Sequence, residues 1–320
     1  PLEIGHNRYA QPTPQLLNPD NPFIFVADAL NGLMVLDAQG QAIKVASVTS
    51  LKSGAATSAV AGLSDGMRQV CGNESASYAL DASRQVWSWG NNFQGQLGRP
   101  SNEVLSQAPA RIDTLSKIVS VVTGKNHALA LSDRGEVWAW GANGAGQLGQ
   151  GHLNSLTEPT RIRINAPIRS IAAGDTHSLA LDVDGHLYAW GSNNCGQLGP
   201  LQNSKKIGWS PFPVRVPLSF KLKQADAGMH YTVALTEQGE VYAWGWNSFG
   251  QLGGSDSKIT NQPTKIAGIS RIEQISAGAF HALALNSNGL YAWGDNRNSA
   301  CGIASTQAAT VTKPNLIKFL

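Results

Sequence analysis

Short apolar segments of five or six residues recur along the chain, and glycine or polar residues separate them. In one unit, Ile168–Ala172, His177–Leu181 and Leu187–Trp190 have the length and residue types of β-strands. The sequence Asp182–Gly185, between the last two segments, predicts a hairpin turn in which the glycine can adopt a positive φ. Helical periodicity is almost absent, so the pattern predicts short antiparallel strands joined as a meander.

A fourth strand is expected after each meander, starting at a proline, because proline at the start of a strand costs no ladder hydrogen bond. The expected copies are Pro109–Ile112, Pro159–Ile162 and Pro263–Ile266. The tryptophan that ends each third strand is followed by glycine and recurs at intervals of 51, 50, 54 and 49 residues, at Trp89, Trp140, Trp190, Trp244 and Trp293. Four short strands at this period predict an all-β propeller built of four-stranded antiparallel blades.

The number of blades depends on how the weaker copies are counted. The repeats are clear over residues 86–302, and two degenerate copies of the repeat end at Leu36 and Leu80. This count favours six blades in a single domain over residues 1–320, with seven blades, one of them split, as the alternative. Segments 1–22 and 303–320 contain stretches that look like fourth strands, Pro12–Leu17 and Lys313–Phe319, and we expect them to help close the ring.

The composition narrows the range of partners. Charged residues make up 14% of the chain, against about 25% in an ordinary soluble domain, and the net charge of +3 is too small to predict nucleic-acid binding. No apolar run is long enough for a membrane-spanning helix. Cys71, Cys195 and Cys301 form no CxxC pair, and the amino end has no signal-peptide pattern. We therefore expect a monomer with free thiols in a reducing compartment, the cytoplasm or the nucleus.

Residues that recur in every unit are most simply explained by the blade itself. The Trp-Gly tryptophans are expected to pack between blades. His127, His177 and His281 of the Gly-x-x-His turns are expected to bond turn backbone, and one histidine per blade keeps them too far apart for a metal site. No phosphate-binding motif and no nucleophile motif occurs between a strand and a helix, the context in which such motifs function. We therefore expect no chemical catalysis, no metal and no cofactor.

Residues that depart from the repeat are the candidates for function. The connection between Gly199 and the next strand is about four residues longer than its counterparts. It is predicted to be an exposed loop over residues 200–212 that carries Lys205, Lys206 and Trp209, a combination suited to partner recognition. The other possibility is that Trp209 folds back on its own blade.

Further departures fall on the same predicted surface. In a meander, the turn between the first and second strands and the end of the third strand lie at one end of the blade, opposite the hairpin between the second and third strands. Asp175, His230, Tyr231, Trp246 and Phe280 occupy these positions. Together they predict a partly aromatic protein-binding face.

The repeated strings Gly-x-x-His-x-x-Ala-Leu, Val-Tyr-Ala-Trp-Gly and Asn-x-x-Gly-Gln-Leu-Gly resemble those of the RCC1 (regulator of chromosome condensation) repeat family. The resemblance implies a propeller, usually of seven blades, and as partner a Ran-type small GTPase. The founding member promotes guanine-nucleotide exchange by inserting a β-wedge near the nucleotide phosphates. By position and by its Lys205–Lys206 pair, the long segment after Trp190 is similar to that wedge.

Two turns between first and second strands can also be compared with those of the family. The sequence Gly174–His177 matches an acidic turn of the family, whereas Gly228–Tyr231 has His230 where a second acidic residue is expected. The resemblance therefore implies an exchange factor or other modulator of the GTPase cycle, and the departure supports an alternative, an adaptor that binds a protein partner without exchange. If the chain is similar to the bacterial family members that enter host cells, the host cytosol becomes its expected location.

Overall fold

A computed structural model describes residues 25–29, 32–37, 39–45, 57–73, 75–100, 104–201 and 208–317. Within these ranges the chain forms twenty-four strands and no α-helix. The strands make six four-stranded antiparallel sheets, and in every sheet the spatial order of the strands follows the chain. The predicted all-β architecture of six four-stranded blades is confirmed.

The blades are numbered 1 to 6 along the chain, and the strands of each are called A to D. The strands of blades 1 to 3 are β1 Phe25–Ala29, β2 Gly32–Leu36, β3 Ala42–Val45, β4 Thr57–Ala59, β5 Met67–Gly72, β6 Ala76–Asp81, β7 Val86–Asn91, β8 Leu105–Arg111, β9 Ile118–Thr123, β10 His127–Ser132, β11 Val137–Gly141 and β12 Leu156–Arg161. Those of blades 4 to 6 are β13 Ile168–Ala173, β14 His177–Asp182, β15 Leu187–Ser192, β16 Trp209–Arg215, β17 Leu222–Ala227, β18 Tyr231–Thr236, β19 Val241–Trp246, β20 Ile259–Lys265, β21 Gln274–Ala277, β22 His281–Asn286, β23 Gly289–Asp295 and β24 Thr310–Leu316. The A strands of consecutive blades contact each other, so they are the inner strands of the propeller.

The B–C hairpins form as the turn residues predict. Gly185 has a φ of +79°, which a residue with a side chain adopts only with strain. One carboxylate oxygen of Asp182 accepts the backbone N–H groups of Asp184, at 3.0 Å, and His186, at 2.8 Å. The aspartate thereby satisfies amides that the tight turn would otherwise leave unpaired.

The hydrophobic core lies between blades rather than inside them. In the part of the chain that the structure describes, five clusters of buried apolar residues each combine side chains from two consecutive blades. The Trp-Gly tryptophans anchor these interfaces: the indole N–H of Trp190 donates to the carbonyl of Gln147 in the preceding blade at 2.8 Å. The same bond joins Trp244 to Gln197 at 3.0 Å, which confirms the predicted packing role of these tryptophans.

The D strands begin earlier than predicted, and their prolines lie inside them. In blade 3, Ala139 pairs with Thr160 and Gly141 pairs with Leu156, so a single residue, Trp140, faces residues 157–159. Pro159 therefore ends a three-residue bulge on an outer strand, where the missing N–H costs no ladder bond. The prediction that each D strand starts at its proline was wrong, because the pattern shows the missing donor but not the bulge.

These bulges explain why the first position of each Gly-Gln-Leu-Gly string is glycine. Gly95 and Gly146 have φ values of +79° and +78°. A Cβ atom on Gly95 would lie 2.7 Å from Cα of Thr157, and one on Gly146 would lie 2.8 Å from Cα of Pro211. Each glycine thus lets the bulge of the following blade approach the backbone closely.

Two histidines of the Gly-x-x-His turns, His127 and His177, direct Nε2 to hydroxyl groups of the next blade, and not to the turn backbone as predicted. Nε2 of His127 lies 3.0 Å from the Ser178 hydroxyl, and Nε2 of His177 lies 3.4 Å from the Thr232 hydroxyl. Both histidines are buried. The imidazole is long enough to cross the interface between blades, a reach that the sequence spacing alone does not reveal.

The structure describes most of the carboxy-terminal segment and none of the amino-terminal one. Strand β24 pairs with β23 as the D strand of blade 6, so this part of segment 303–320 forms the predicted fourth strand. Segment 1–22, with Pro12–Leu17, lies outside the described residues, and the ring-closing role of both segments remains a prediction. Across the described ranges, the structure contains no helix with the length and apolarity needed to cross a membrane.

Candidate protein-interaction face

One end of the propeller collects the irregular segments that the structure describes in blades 2 to 6. We call it the turn face and define it as the described residues of the A–B turns, of the C–D connections and of the D strands up to the end of the bulge. The strand register sets this arrangement, because His127, which starts β10, pairs with Gly141, which ends β11. In blade 5 the amide of Trp246 donates to the carbonyl of His230 at 3.0 Å. The predicted common surface is confirmed, and the B–C hairpins lie at the opposite end.

The inner rim of the turn face is tied together by the backbone. The amide of Lys125 donates to the carbonyl of Asp175 at 3.2 Å, and the amide of Asp175 donates to Met229 at 3.2 Å. The amide of Met229 continues the series to Ala279 at 3.1 Å. Because these bonds link the A–B turns of blades 3 to 6, side chains on the turns are held in fixed relative positions.

Exposed apolar side chains concentrate on this face. Among the residues that the structure describes, eleven large apolar residues are exposed, and seven of them lie on the turn face. The seven are Phe93, Val104, Leu105, Leu153, Trp209, Phe212 and Ile259. Scattered apolar residues are normal on any surface, but their collection at one end of a rigid scaffold is typical of a protein interface.

Blades 5 and 6 contribute an aromatic cluster, which we define as His230, Trp246, Phe249 and Phe280. The ring centroid of Trp246 lies 5.5 Å from Phe249, 5.6 Å from Phe280 and 6.0 Å from His230. The two phenylalanine centroids are 5.1 Å apart. Three predicted residues, His230, Trp246 and Phe280, are thus brought together, and Phe249 packs against Trp246 and Phe280.

Arg297 extends the aromatic cluster with a fixed positive charge. Its guanidinium carbon lies 4.4 Å from the ring centroid of Phe249. Its Nε and Nη2 donate to the carboxylate of Asp295, the latter at 2.6 Å. Partial burial raises the pKa of Asp295, but the bonds and charge of Arg297 outweigh burial, so the net pKa lies below its ordinary value. The ion pair is therefore fully charged at neutral pH.

Sequence reasoning missed Phe249 and Arg297, although a signal was present. In the Asn-x-x-Gly strings, Phe249 stands where other blades have Gln94, Ala145 or Cys195. Arg297 stands where the corresponding residues are uncharged. Comparing every column of this string, and not only the turns, would have identified both residues.

The predicted long loop is shorter than expected. Trp209 starts strand β16 and pairs with Ser192, and Phe212 lies within the same strand. Residues 208–212 therefore belong to the blade, while Lys205 and Lys206 lie outside the described residues. Trp209 is still 39% exposed, at the same end of the propeller as His230. The expectation that Trp209 sits in a loop was wrong, because the D strand begins before the proline at which D strands were predicted to start.

Comparison with known proteins places these features in a family. The family model described as RCC1-like domain matches residues 8–320. The chain belongs to the RCC1-like domain family. The ultraviolet-B receptor UVR8 of Arabidopsis thaliana is 32% identical over 245 residues, which are 75% of this chain and 56% of that protein. The Homo sapiens E3 ubiquitin-protein ligase HERC2 is 32% identical over 260 residues, 79% of this chain and 4% of that protein.

Solved structures support the same RCC1-like fold. Human WBSCR16 superposes with a TM-score of 0.83 at 24% identity, over 97% of this chain and 85% of that one. Yeast RCC1 (Prp20), solved with Kap60, gives a TM-score of 0.79 at 22% identity, over 95% of this chain and 77% of that one. The chain spans only about half of UVR8 and a small part of HERC2. These similarities establish the RCC1-like propeller.

Two predicted contact residues of this RCC1-like chain are buried. The side chain of Asp175 is 4% exposed, and that of Tyr231 is fully buried. Tyr231 replaces the usual turn histidine, and its hydroxyl donates to the carbonyls of Gly278, at 3.0 Å, and His281 in blade 6. The expectation that both side chains are displayed to a partner was wrong, because both are buried, and that of Tyr231 lies in the interface between blades 5 and 6.

Replacing Tyr231 with phenylalanine is expected to lower the free energy of unfolding by about 1–3 kcal/mol, because the buried Gly278 carbonyl loses its hydroxyl donor, while the His281 carbonyl keeps the Gly278 amide. The matched control is Tyr242→Phe, since the Tyr242 hydroxyl bonds the exposed Glu240 carboxylate and its loss should cost well under about 1 kcal/mol. Urea denaturation followed by circular dichroism measures both. Equal, small losses would show that the Tyr231 hydroxyl does not join blades 5 and 6.

Within the described residues, one group of potential metal ligands stands out, Asp182, Asp184 and His186. It lies in a B–C hairpin, at the end opposite the turn face. The ammonium group of Lys221 contacts His186, and Asp182 already accepts two backbone amides. The group therefore fits a hairpin cap better than a cation site.

Proposed function

We propose that the turn face binds a small GTPase of the Ran type and modulates its nucleotide cycle. The observation that carries the proposal is the concentration of exposed apolar and aromatic side chains on this face of an RCC1-like propeller. A solved structure of Prp20p from Saccharomyces cerevisiae, described together with its binding to Gsp1p and histones, has a TM-score of 0.71 to this chain at 24% identity. That similarity supports the fold, and the partner is our inference.

Modulation of a GTPase requires no nucleophile, metal or acid–base pair from the propeller. The GTPase holds its nucleotide with backbone amides, a lysine and Mg²⁺ around the phosphates. A protein that binds the nucleotide-free form more tightly than the loaded form lowers nucleotide affinity by the ratio of its own two affinities. A rigid face that contacts the phosphate-binding segments is sufficient for this effect.

The contacts are assigned to two regions of the turn face. The segment with Lys205 and Lys206 leads directly into Trp209 and is proposed to reach the phosphate region of the GTPase. The aromatic cluster is proposed to hold a neighbouring segment. Asp175 and Tyr231 act from inside the fold, by fixing the turns that carry these side chains.

Release of mant-GDP from Ran tests the proposal. The triple variant Lys205→Ala, Lys206→Ala, Trp209→Ala should slow the stimulated release at least about tenfold, which equals a loss of about 1.4 kcal/mol. The control variant carries Arg134→Ala, Arg163→Ala and Val183→Ala, three exposed residues at the opposite end, and should match the wild type. Equal rates for the wild type and the first variant would remove the proposed contact.

A second candidate is an adaptor that binds its partner without promoting exchange. The observation that favours it is His230, which stands where the family's second acidic turn has its acidic residue. Affinities for GDP-bound, GTP-bound and empty Ran separate the candidates, because an adaptor should bind the three forms almost equally. Either function implies an intracellular, reducing location, which suits the free thiols of Cys71, Cys195 and Cys301.

A further inference from the structure

The aromatic cluster crosses the boundary between two blades and presents an apolar surface. Trp246 and Phe249 come from the end of the C strand and the following loop of blade 5, whereas Phe280 comes from the A–B turn of blade 6. The centroid separations of 5.1–5.6 Å mean that the rings touch one another. They enclose no cage for a cationic group, so an incoming side chain would pack on their outer faces and edges.

The charged neighbour of these rings is already fixed in place. Arg297 stacks on Phe249, and the carboxylate of Asp295 accepts its Nε and one Nη2 hydrogen. A guanidinium has five N–H donors, so three remain beyond this pair, on a side chain that is 56% exposed. Because the side chain is already ordered, a new hydrogen bond to it costs little further conformational entropy.

The hydrogen-bonding groups that remain unused determine which kind of ligand group can bind beside the aromatic cluster. Arg297 offers donors, while Asp295 is only 17% exposed and its acceptor oxygens are engaged by Arg297. An additional cation would meet Asp295 oxygens that Arg297 already engages, and it would be repelled by the guanidinium. A carboxylate can accept two parallel N–H bonds from a guanidinium edge, the strongest pairing available to it.

We propose that the aromatic cluster and Arg297 form a two-part subsite for a partner segment that carries an aromatic or large aliphatic side chain close to an aspartate or glutamate. The apolar side chain packs on Trp246 and Phe280, and the carboxylate pairs with the exposed edge of Arg297. The subsite rests on the proposed function only in using the turn face as the interaction surface, and it does not require the partner to be a GTPase.

An array of nine-residue peptides tests the subsite with the whole, folded chain. Each peptide has a central phenylalanine and a single aspartate at one of the other positions, and matched peptides carry asparagine or lysine instead. At the favoured spacing, the aspartate peptide should bind at least about tenfold more tightly than its asparagine counterpart, and the lysine peptide should bind more weakly still. Replacing the central phenylalanine with serine should abolish binding.

Variants separate the two parts of the subsite. Arg297→Gln should bring the aspartate-to-asparagine preference close to one while keeping the dependence on phenylalanine. Arg297→Lys keeps the charge but loses the planar fork, so an intermediate preference is expected. Phe280→Ala should weaken all peptides alike. If Phe280→Ala fails to fold, as thermal melting would show, Trp246→Phe replaces it.

Two residues of the turn face outside blades 5 and 6 provide controls. Lys125→Gln removes an exposed charge in blade 3, and Phe93→Ala removes an exposed ring in blade 2. Both should leave the peptide preferences unchanged. Equal binding of aspartate, asparagine and lysine peptides, no binding at all, or a preference that survives Arg297→Gln would overturn the subsite.

The same preparations, tested with Ran, keep the two proposals apart. Ran binding without peptide selectivity would overturn the subsite and leave the GTPase proposal intact. Peptide selectivity with no Ran binding would overturn the GTPase proposal and support the subsite for a different partner.

Discussion

Replacing Trp190 with alanine is expected to lower the free energy of unfolding by about 3–5 kcal/mol. The ring is fully buried in the cluster shared by blades 3 and 4, so its loss leaves a cavity that a close-packed interface cannot fill. The change also removes the indole donor of the Gln147 carbonyl. Because each blade of a repeat protein depends on its neighbours, the loss should reach beyond blade 4.

Trp209 provides the matched control, since it is the same residue type in the same blade. It is 39% exposed at the start of an outer strand, so Trp209→Ala should cost below about 1 kcal/mol. Urea denaturation followed by far-ultraviolet circular dichroism compares the two variants. Trp190→Phe should fall between them, because it retains most of the buried area but loses the N–H donor and part of the ring volume. Equal midpoints for Trp190→Ala and Trp209→Ala would contradict the inter-blade role.

The fold could be predicted from the sequence because the same packing arrangement between neighbouring blades recurs along the chain. Blades 2 to 6 each bury a tryptophan against a neighbouring blade, and the Trp-Gly pair therefore recurs near every fiftieth residue. The glycine is required sterically: a Cβ atom on Gly141 would lie 2.5 Å from the carbonyl oxygen of Asn126. Where the same steric need recurs, the same residue recurs, and the pattern reports the strands directly.

Contacts between blades were harder to predict, because they join residues about fifty positions apart. Local spacing placed His127 in a turn but could not show that its ring reaches Ser178. It also indicated that Pro159 lies where the strand needs no N–H donor. Both the start of a strand and a bulge on an edge strand are such positions. Only the pairing of the strands decides between these possibilities.

The candidate site was predicted in part. Departures from the repeat identified His230, Trp246 and Phe280, which the structure brings into one cluster. The same rule also selected Tyr231, which departs from the repeat for a structural reason, to bond Gly278. A departure therefore shows that a position is special, and only burial shows whether it faces a neighbouring blade or the solvent.

Acidification below pH 6.5 is expected to destabilise the protein steeply through its buried turn histidines. Burial, with the nearby His230 and His127, lowers the pKa of His177 to about 3. Burial likewise lowers the pKa of His281 to about 4, against the opposing effect of Asp295. The unfolded chain takes up these protons near pH 6.5, while the folded chain does so only near pH 3–4. Stability is therefore complete above pH 6.5 and is lost as the pH falls through this window.

The slope in this window is about 1.4 kcal/mol per pH unit for each histidine, so the pair can remove on the order of 5 kcal/mol between pH 6 and pH 4. His177→Gln should flatten the pH dependence of the urea midpoint by one histidine's share, since glutamine does not titrate. An unaltered slope in His177→Gln would show that His177 accepts its proton in the folded state, and that the interface between blades 4 and 5 tolerates the charge.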